Sequence, residues 1–185
     1  MTFVVSNADT MKRMIYPLLL IVLLTGSAFH LALDNSAWRI VEDSYLVTFS
    51  GKRVEGVFRG LKSDLQFDEQ QPARSKIIAT IETATVQTGN GLRNMHARQA
   101  LDTDRYPAII FESHSIRKSG QGYVASGQLT IRNVTRNITI PFSFTRSAEG
   151  GIFDGTFSLA PADFQVRRMG TPDTIAITLR VPVLQ

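Results

Sequence analysis

From Trp38 to the end of the 185-residue chain, apolar and polar residues alternate in short runs separated by turn residues. Side chains two apart on a strand share a face, so each run describes a strand that is oily on one side and wet on the other. The most regular run lies in LTIRNVTRNITIPFSF, residues 129–144. There Ile138, Ile140, Phe142 and Phe144 take one parity, and Asn137, Thr139, Pro141 and Ser143 take the other. Extended without a bend, Val134 to Thr145 would reach roughly 40 Å at about 3.3 Å per residue, about twice an ordinary strand. The same period runs through Tyr45, Val47 and Phe49, which precede a Gly51-Lys52-Arg53 turn, and through Val54 to Phe58 and Asp64 to Asp68. It returns in Ser75 to Val86, Ala108 to Ile116, Gly122 to Ile131, Ile152 to Leu159 and Thr174 to Val183. Eight or nine strands are predicted.

One segment breaks the rhythm. Gly91 to Leu101, GLRNMHARQAL, has Leu92, Met95 and Gln99 at helical spacing and no β-branched run, which predicts a short helix between strands. Strands without alternating helices imply an antiparallel sheet, and a twisted sheet of about eight strands tends to close on itself, which removes exposed edges. The expected fold is therefore all-β, an eight-stranded antiparallel barrel with one short helix. A barrel of that size is either filled by side chains or holds one small ligand. Phe49, Phe58, Phe67, Ile81, Phe111, Leu129, Ile140, Phe142, Ile177 and Leu179 fall on the inward parity, and such a lining offers little to a polar guest.

Composition narrows the function. A chain with 43% hydrophobic and 19% charged residues is globular, not disordered. The formal charge of +4 comes from Lys and Arg scattered among Asp and Glu, without the basic stripe that nucleic-acid binding requires. With no cysteine there is no disulfide, no thiolate nucleophile and no thiolate metal site. Residues 11–28, MKRMIYPLLLIVLLTGSA, place Lys12 and Arg13 before an apolar stretch that ends on Gly26, Ser27 and Ala28. That order predicts a signal peptide over residues 1–28, with the true start at Met11, and export to the periplasm. The competing reading is an uncleaved membrane anchor, since Met14 to Leu33 has about the ~20 residues needed to cross a bilayer. A linker over 29–37 and the barrel over 38–185 complete the expected organisation.

Candidate chemistry is sparse. His30, His96 and His114 lie on three different segments, and no pair has metal-ligand spacing, so no metal is expected. Asp102 and Asp104, two apart in LDTDRYP, read as a turn before Pro107. No G-x-S-x-G elbow occurs and there is no thiol, so nucleophilic hydrolysis lacks its nucleophile. Asn133-Val134-Thr135 and Asn137-Ile138-Thr139 match the glycosylation pattern but fall within the regular strand. Arg93, His96 and Arg98 place three donors on the predicted helix; they either meet an anionic or quinone head group or pair with Asp102 and Asp104. Lys52, Arg53, Arg167 and Arg168 can draw the protein to anionic lipid head groups, scattered surface charge being the plainer account.

GLRNMHARQALDTDRYPAIIFES, residues 91–113, followed by GQLTIRNVTRNITIPFSF, residues 127–144, resembles the YceI-like family. The resemblance extends over nearly all of the chain after Trp38 and rests on the Arg-x-x-His-x-Arg helix, the Tyr-Pro-x-x-x-Phe strand start and the Gly-x-Leu-Thr-Ile-Arg-x-Val-Thr strand. The sequence departs from the family pattern at Asn94, usually an acid, at Ala97, usually leucine, and at Asn133, usually glycine. The resemblance implies a secreted bacterial protein with an extended lipocalin-like barrel that binds a polyisoprenoid. It further implies a non-enzymatic carrier holding an isoprenoid-tailed lipid or quinone against the inward residues named above, with Arg93, His96 and Arg98 as head-group candidates and no cofactor. Transient membrane contact and a homodimer are partner options that the resemblance leaves open. The alternatives are a surface-acting interaction or stress-protection protein with a filled barrel, or an enzyme acting on a lipid head group.

Overall fold

In the computed structural model, which describes residues 37–185, the alternating runs become ten β segments that occupy eight positions around a closed barrel. The expected signal peptide, the competing anchor and most of the linker lie outside the described residues. The segments are β1 (Ala37–Ile40), β2 (Leu46–Gly51), β3 (Val54–Phe58), β4 (Leu61–Gln66), β5 (Lys76–Glu82), β6 (Ala108–Ser119), β7 (Gly122–Ile131), β8 (Val134–Arg146), β9 (Gly150–Leu159) and β10 (Ile175–Leu184), with helix α1 (Gly91–Leu101) between β5 and β6. All pairings are antiparallel, and β10 closes the ring by pairing with β9 on one side and with both β1 and β2 on the other.

That double pairing explains why there are more segments than the eight or nine strands predicted. Ile40 of β1 faces Val183 and Leu46 of β2 faces Arg180, so β1 and β2 follow one another along β10 as a single strand position. The chain between them bulges out through Asp43 at φ 60. The facing position is broken in the same way between β3 and β4, where Gly60 takes φ +73. Trp38 of β1 then pairs with Leu65 of β4, and Phe49 of β2 with Gly56 of β3. The result is one long hairpin with a bend across both strands. β1 spans only four residues, too few for alternation to declare it.

Local chemistry sets the other boundaries. The run predicted from Ser75 to Val86 leaves the sheet after Glu82 and continues as a 3-10 turn, Thr83–Thr85. Thr83 causes the departure: its N–H donates to the Pro107 carbonyl at 2.9 Å and its hydroxyl to the Tyr106 carbonyl at 2.8 Å. At the β7–β8 hairpin, Arg132 and Asn133 both take positive φ, 49 and 61. Two such residues form the type I′ turn whose twist matches a two-residue hairpin, and asparagine tolerates that region better than most residues. In β6 the register slips at His114, which bulges from the ladder between Ser113 and Ser115 and is exposed.

The long strand quoted above is β8, and it is paired unevenly. Against β7 it pairs along Val134 to Phe142, but against β9 only from Phe142, opposite Gly155, to Arg146, opposite Gly151. The β9 ladder stops at Pro141, a residue with no N–H to donate. Beyond it the 3-10 turn Pro161–Phe164 packs against β8, with Phe164 buried in the core.

Candidate functional site

The barrel interior has two parts. At the end where β1 lies beside β10, Phe67 is completely buried, and the rings of Tyr123, Phe142, Phe144 and Phe153 surround it at centroid separations of 5.0, 5.6, 5.2 and 5.3 Å. All four meet it at steep angles, the edge-to-face geometry that aromatic quadrupoles favour. Trp38 packs on Phe144, and its indole N–H donates to the Phe67 carbonyl at 2.9 Å. Gly151 makes room, since a Cβ there would collide with the Phe144 ring. This aromatic plug closes one end.

Toward the end where β2 lies beside β10, the interior opens into a cavity of about 730 Å³. That is within the range of small-molecule sites. Phe49, Phe58, Ile81, Phe111, Leu129, Ile140, Phe142, Ile177 and Leu179, nine of the ten inward residues read from parity, border it. Ile81, Phe142, Ile177 and Leu179 point inward yet are only half-buried, because the surface they expose belongs to the cavity. The tenth corrects the parity count: Phe67 belongs to the plug and does not line the cavity. Parity sorts inside from outside but carries no information about depth along the barrel axis. Ile77, Ile109, Phe157 and Val181 also line the cavity, and their inward parity was the signal that could have found them.

Three segments frame the open end: the β2–β3 turn, α1, and the stretch 165–174 that leads into β10. A Cβ on Gly51 would meet Pro172, which places that stretch against the turn. The Arg168 guanidinium donates to the Gln99 side-chain oxygen at 2.7 Å, joining it to α1. Arg53, Glu55, Arg93 and Arg168 bring charge to the cavity margin, and His96 adds an imidazole. Arg93 and His96 therefore border the cavity, whereas Arg98 does not. The pairing suggested for Arg93 and His96 is not made either. Among the described residues the ion pairs are Lys76–Glu112, Arg146–Glu69 and Arg180–Asp154. Asp102 instead ends the helix at φ 52, and its carbonyl receives the N–H groups of Arg105 and Tyr106.

The helix forms over the predicted residues, Gly91–Leu101. The stripe Leu92, Met95 and Gln99 faces away from the barrel, and Ala97, Ala100 and Leu101 face the cavity. Asn90 caps the helix by accepting from the Arg93 N–H at 3.0 Å, and one tie reaches outside it: the Asn94 side-chain oxygen accepts from the Thr88 N–H at 2.6 Å and its hydroxyl at 2.9 Å. A small residue at Ala97 then fits against Phe49, Phe58 and their neighbours. Deeper in the wall, Ser63 contributes a buried hydroxyl with no partner among the described residues. No group of three or more His, Asp or Glu is assembled among the described residues, and no helix there is long and apolar enough to cross a membrane.

Residues 36–183 match the model of the YceI-like domain family. An 87-residue stretch is 37% identical to Protein YceI from Escherichia coli, covering 46% of each chain, and 36% identical to a UPF0312 protein from Serratia proteamaculans, covering 46% of this chain and 45% of that one. The match thus spans about half the length of these curated relatives. Among solved structures, BcnA of Burkholderia cenocepacia superposes with a TM-score of 0.74 at 21% identity, over 80% of this chain and 100% of that one. A polyisoprenoid binding domain from Saccharophagus degradans gives 0.62 at 15% identity, over 80% of this chain and 98% of that one. These likenesses confirm the lipocalin-like barrel.

Proposed function

Because the chain belongs to the YceI-like family, we propose that it is a non-enzymatic periplasmic carrier that sequesters an isoprenoid-tailed lipid or quinone. The single observation that carries the reading is the apolar cavity of about 730 Å³, stoppered by aromatic rings at one end and edged at the other by three arginines and Glu55. A barrel filled by its own side chains would have no such space, which counts against the surface-acting alternative. The sequence supports export through the signal-like segment at residues 11–28. The description of the Saccharophagus degradans neighbour as a polyisoprenoid binding domain supports the ligand class.

The cavity dimensions bound the guest. At roughly 30 Å³ per water-sized group, the space takes on the order of 24 such groups, or about five isoprene units. At about 0.3 kcal/mol per heavy atom, a tail of that size would bind with roughly 7 kcal/mol, in the micromolar range. In this reading Phe49, Phe58, Ile81, Phe111, Leu129, Ile140, Phe142, Ile177 and Leu179 hold the tail, and Arg93 and His96 meet the head group at the mouth. A longer tail must leave units outside or displace the plug. The test is organic extraction and mass spectrometry of protein purified from the periplasmic fraction. A prenyl lipid near one per chain is expected; protein that is repeatedly empty and takes up no prenyl lipid on reconstitution would overturn the proposal.

A further inference from the structure

The apolar stripe on α1 has no partner in the fold. Leu92 is 63% exposed and Met95 45% exposed, while residues one step round the helix line the cavity. The stripe is not isolated. Arg168 is held to Gln99, on the same face, and the next residue, Met169, is fully exposed at the cavity margin. Of the six large apolar side chains exposed among the described residues, three are thus gathered at the mouth; the others, Leu46, Ile110 and Leu184, sit on separate strands.

Cations outnumber carboxylates around this tip. α1 carries Arg93 and Arg98 and no carboxylate, residues 165–174 add Arg167 and Arg168 against Asp173, and the neighbouring cavity margin adds Arg53 and Glu55. Exposed apolar side chains amid a surplus of cations, at the opening of an apolar cavity, match a surface that is itself apolar beneath an anionic layer. We infer that the face formed by α1 and residues 165–172 docks on an anionic lipid bilayer, with Leu92, Met95 and Met169 entering the head-group region and the arginines lying against lipid phosphates. Each cation near an anionic membrane strengthens binding by about 1 kcal/mol, roughly fivefold. The purpose of docking, passing a lipid between leaflet and cavity, rests on the carrier reading; the docking does not.

The experiment is vesicle co-sedimentation of protein purified from the periplasmic fraction, using phosphatidylcholine vesicles with and without phosphatidylglycerol. Binding is expected only with phosphatidylglycerol, and it should fade when salt shortens the screening length to about 3 Å. Leu92→Ser with Met95→Ser, neither residue lining the cavity, should weaken partitioning about tenfold. Arg98→Gln with Arg167→Gln should weaken it about 25-fold, from two cations at roughly fivefold each. Circular dichroism checks that each variant is folded, and extraction of the same variants reads the carrier function separately. Normal lipid content with lost vesicle binding supports docking as a distinct step. Vesicle binding that is equal for wild type and both variants, or equal on neutral vesicles, overturns the inference. So does a change in oligomeric state on removing the stripe with vesicle binding intact, since the stripe would then cover a second copy.

Discussion

Replacing Phe67 with alanine should remove the keystone of the aromatic plug. The side chain is completely buried, and four rings lie within 5.6 Å of its centroid, so nothing small can shift to fill the space it leaves. Truncating a buried phenylalanine costs about 3–5 kcal/mol, the sum of lost transfer energy and the cavity left behind. The upper part of that range is expected here, because each lost edge-to-face pair is worth about 0.5–1.5 kcal/mol beyond its burial. The Trp38 hydrogen bond goes to the backbone carbonyl of Phe67 and survives the substitution, so the loss isolates ring packing. For a domain of this size about 4 kcal/mol corresponds to a fall in Tm of roughly 8–16 °C. Urea denaturation followed by tryptophan fluorescence reads it directly, since Trp38, the chain's one tryptophan, packs within the plug. A loss below about 1 kcal/mol with an unchanged m value would refute the plug as a packed unit. The same variant joins new space to the cavity, so it should also retain longer prenyl tails.

Other outcomes follow from the same geometry. Phe142→Lys places an ammonium at the cavity wall and should abolish prenyl-lipid retention in extraction assays, whereas Thr139→Lys, on the exposed parity of the same strand, should leave it unchanged; equal retention would count against the assignment of the lumen. The Tyr123 hydroxyl is raised above 10.0 by burial and by the nearby Glu69 and Asp68 carboxylates. The folded state therefore holds this proton more tightly than the unfolded chain, and stability should fall as pH rises from about 10 through the folded-state value. Thermal melts of Tyr123→Phe should show a shallower alkaline decline, and parallel curves would remove Tyr123 as the cause. Asn133→Gly relieves a left-handed residue at the hairpin tip and should stabilise by up to about 1 kcal/mol, while Asn133→Val should destabilise by about 1–2 kcal/mol in chemical denaturation.

Much of this protein is legible along the chain because strand faces depend on a period of two. Alternation announces that Phe49, Phe111, Ile140 and Leu179 face inward and that a barrel of about eight strands is the economical way to bury them, and its interruption by helical spacing marks the helix at Gly91–Leu101. Only the folded molecule separates Phe67, locked in the plug, from Phe142, which belongs to both plug and cavity, because depth along the barrel depends on the register of strands far apart in sequence. The joining of β1 with β2 along β10 is likewise a matter of pairing, not of composition. The facing of α1 is also visible only in the fold, where Asn94 is tied to the Thr88 N–H and hydroxyl while Leu92 and Met95 point outward. A helix with so few apolar residues has little burial energy to set its angle, so its own sequence does not declare which face the cavity sees.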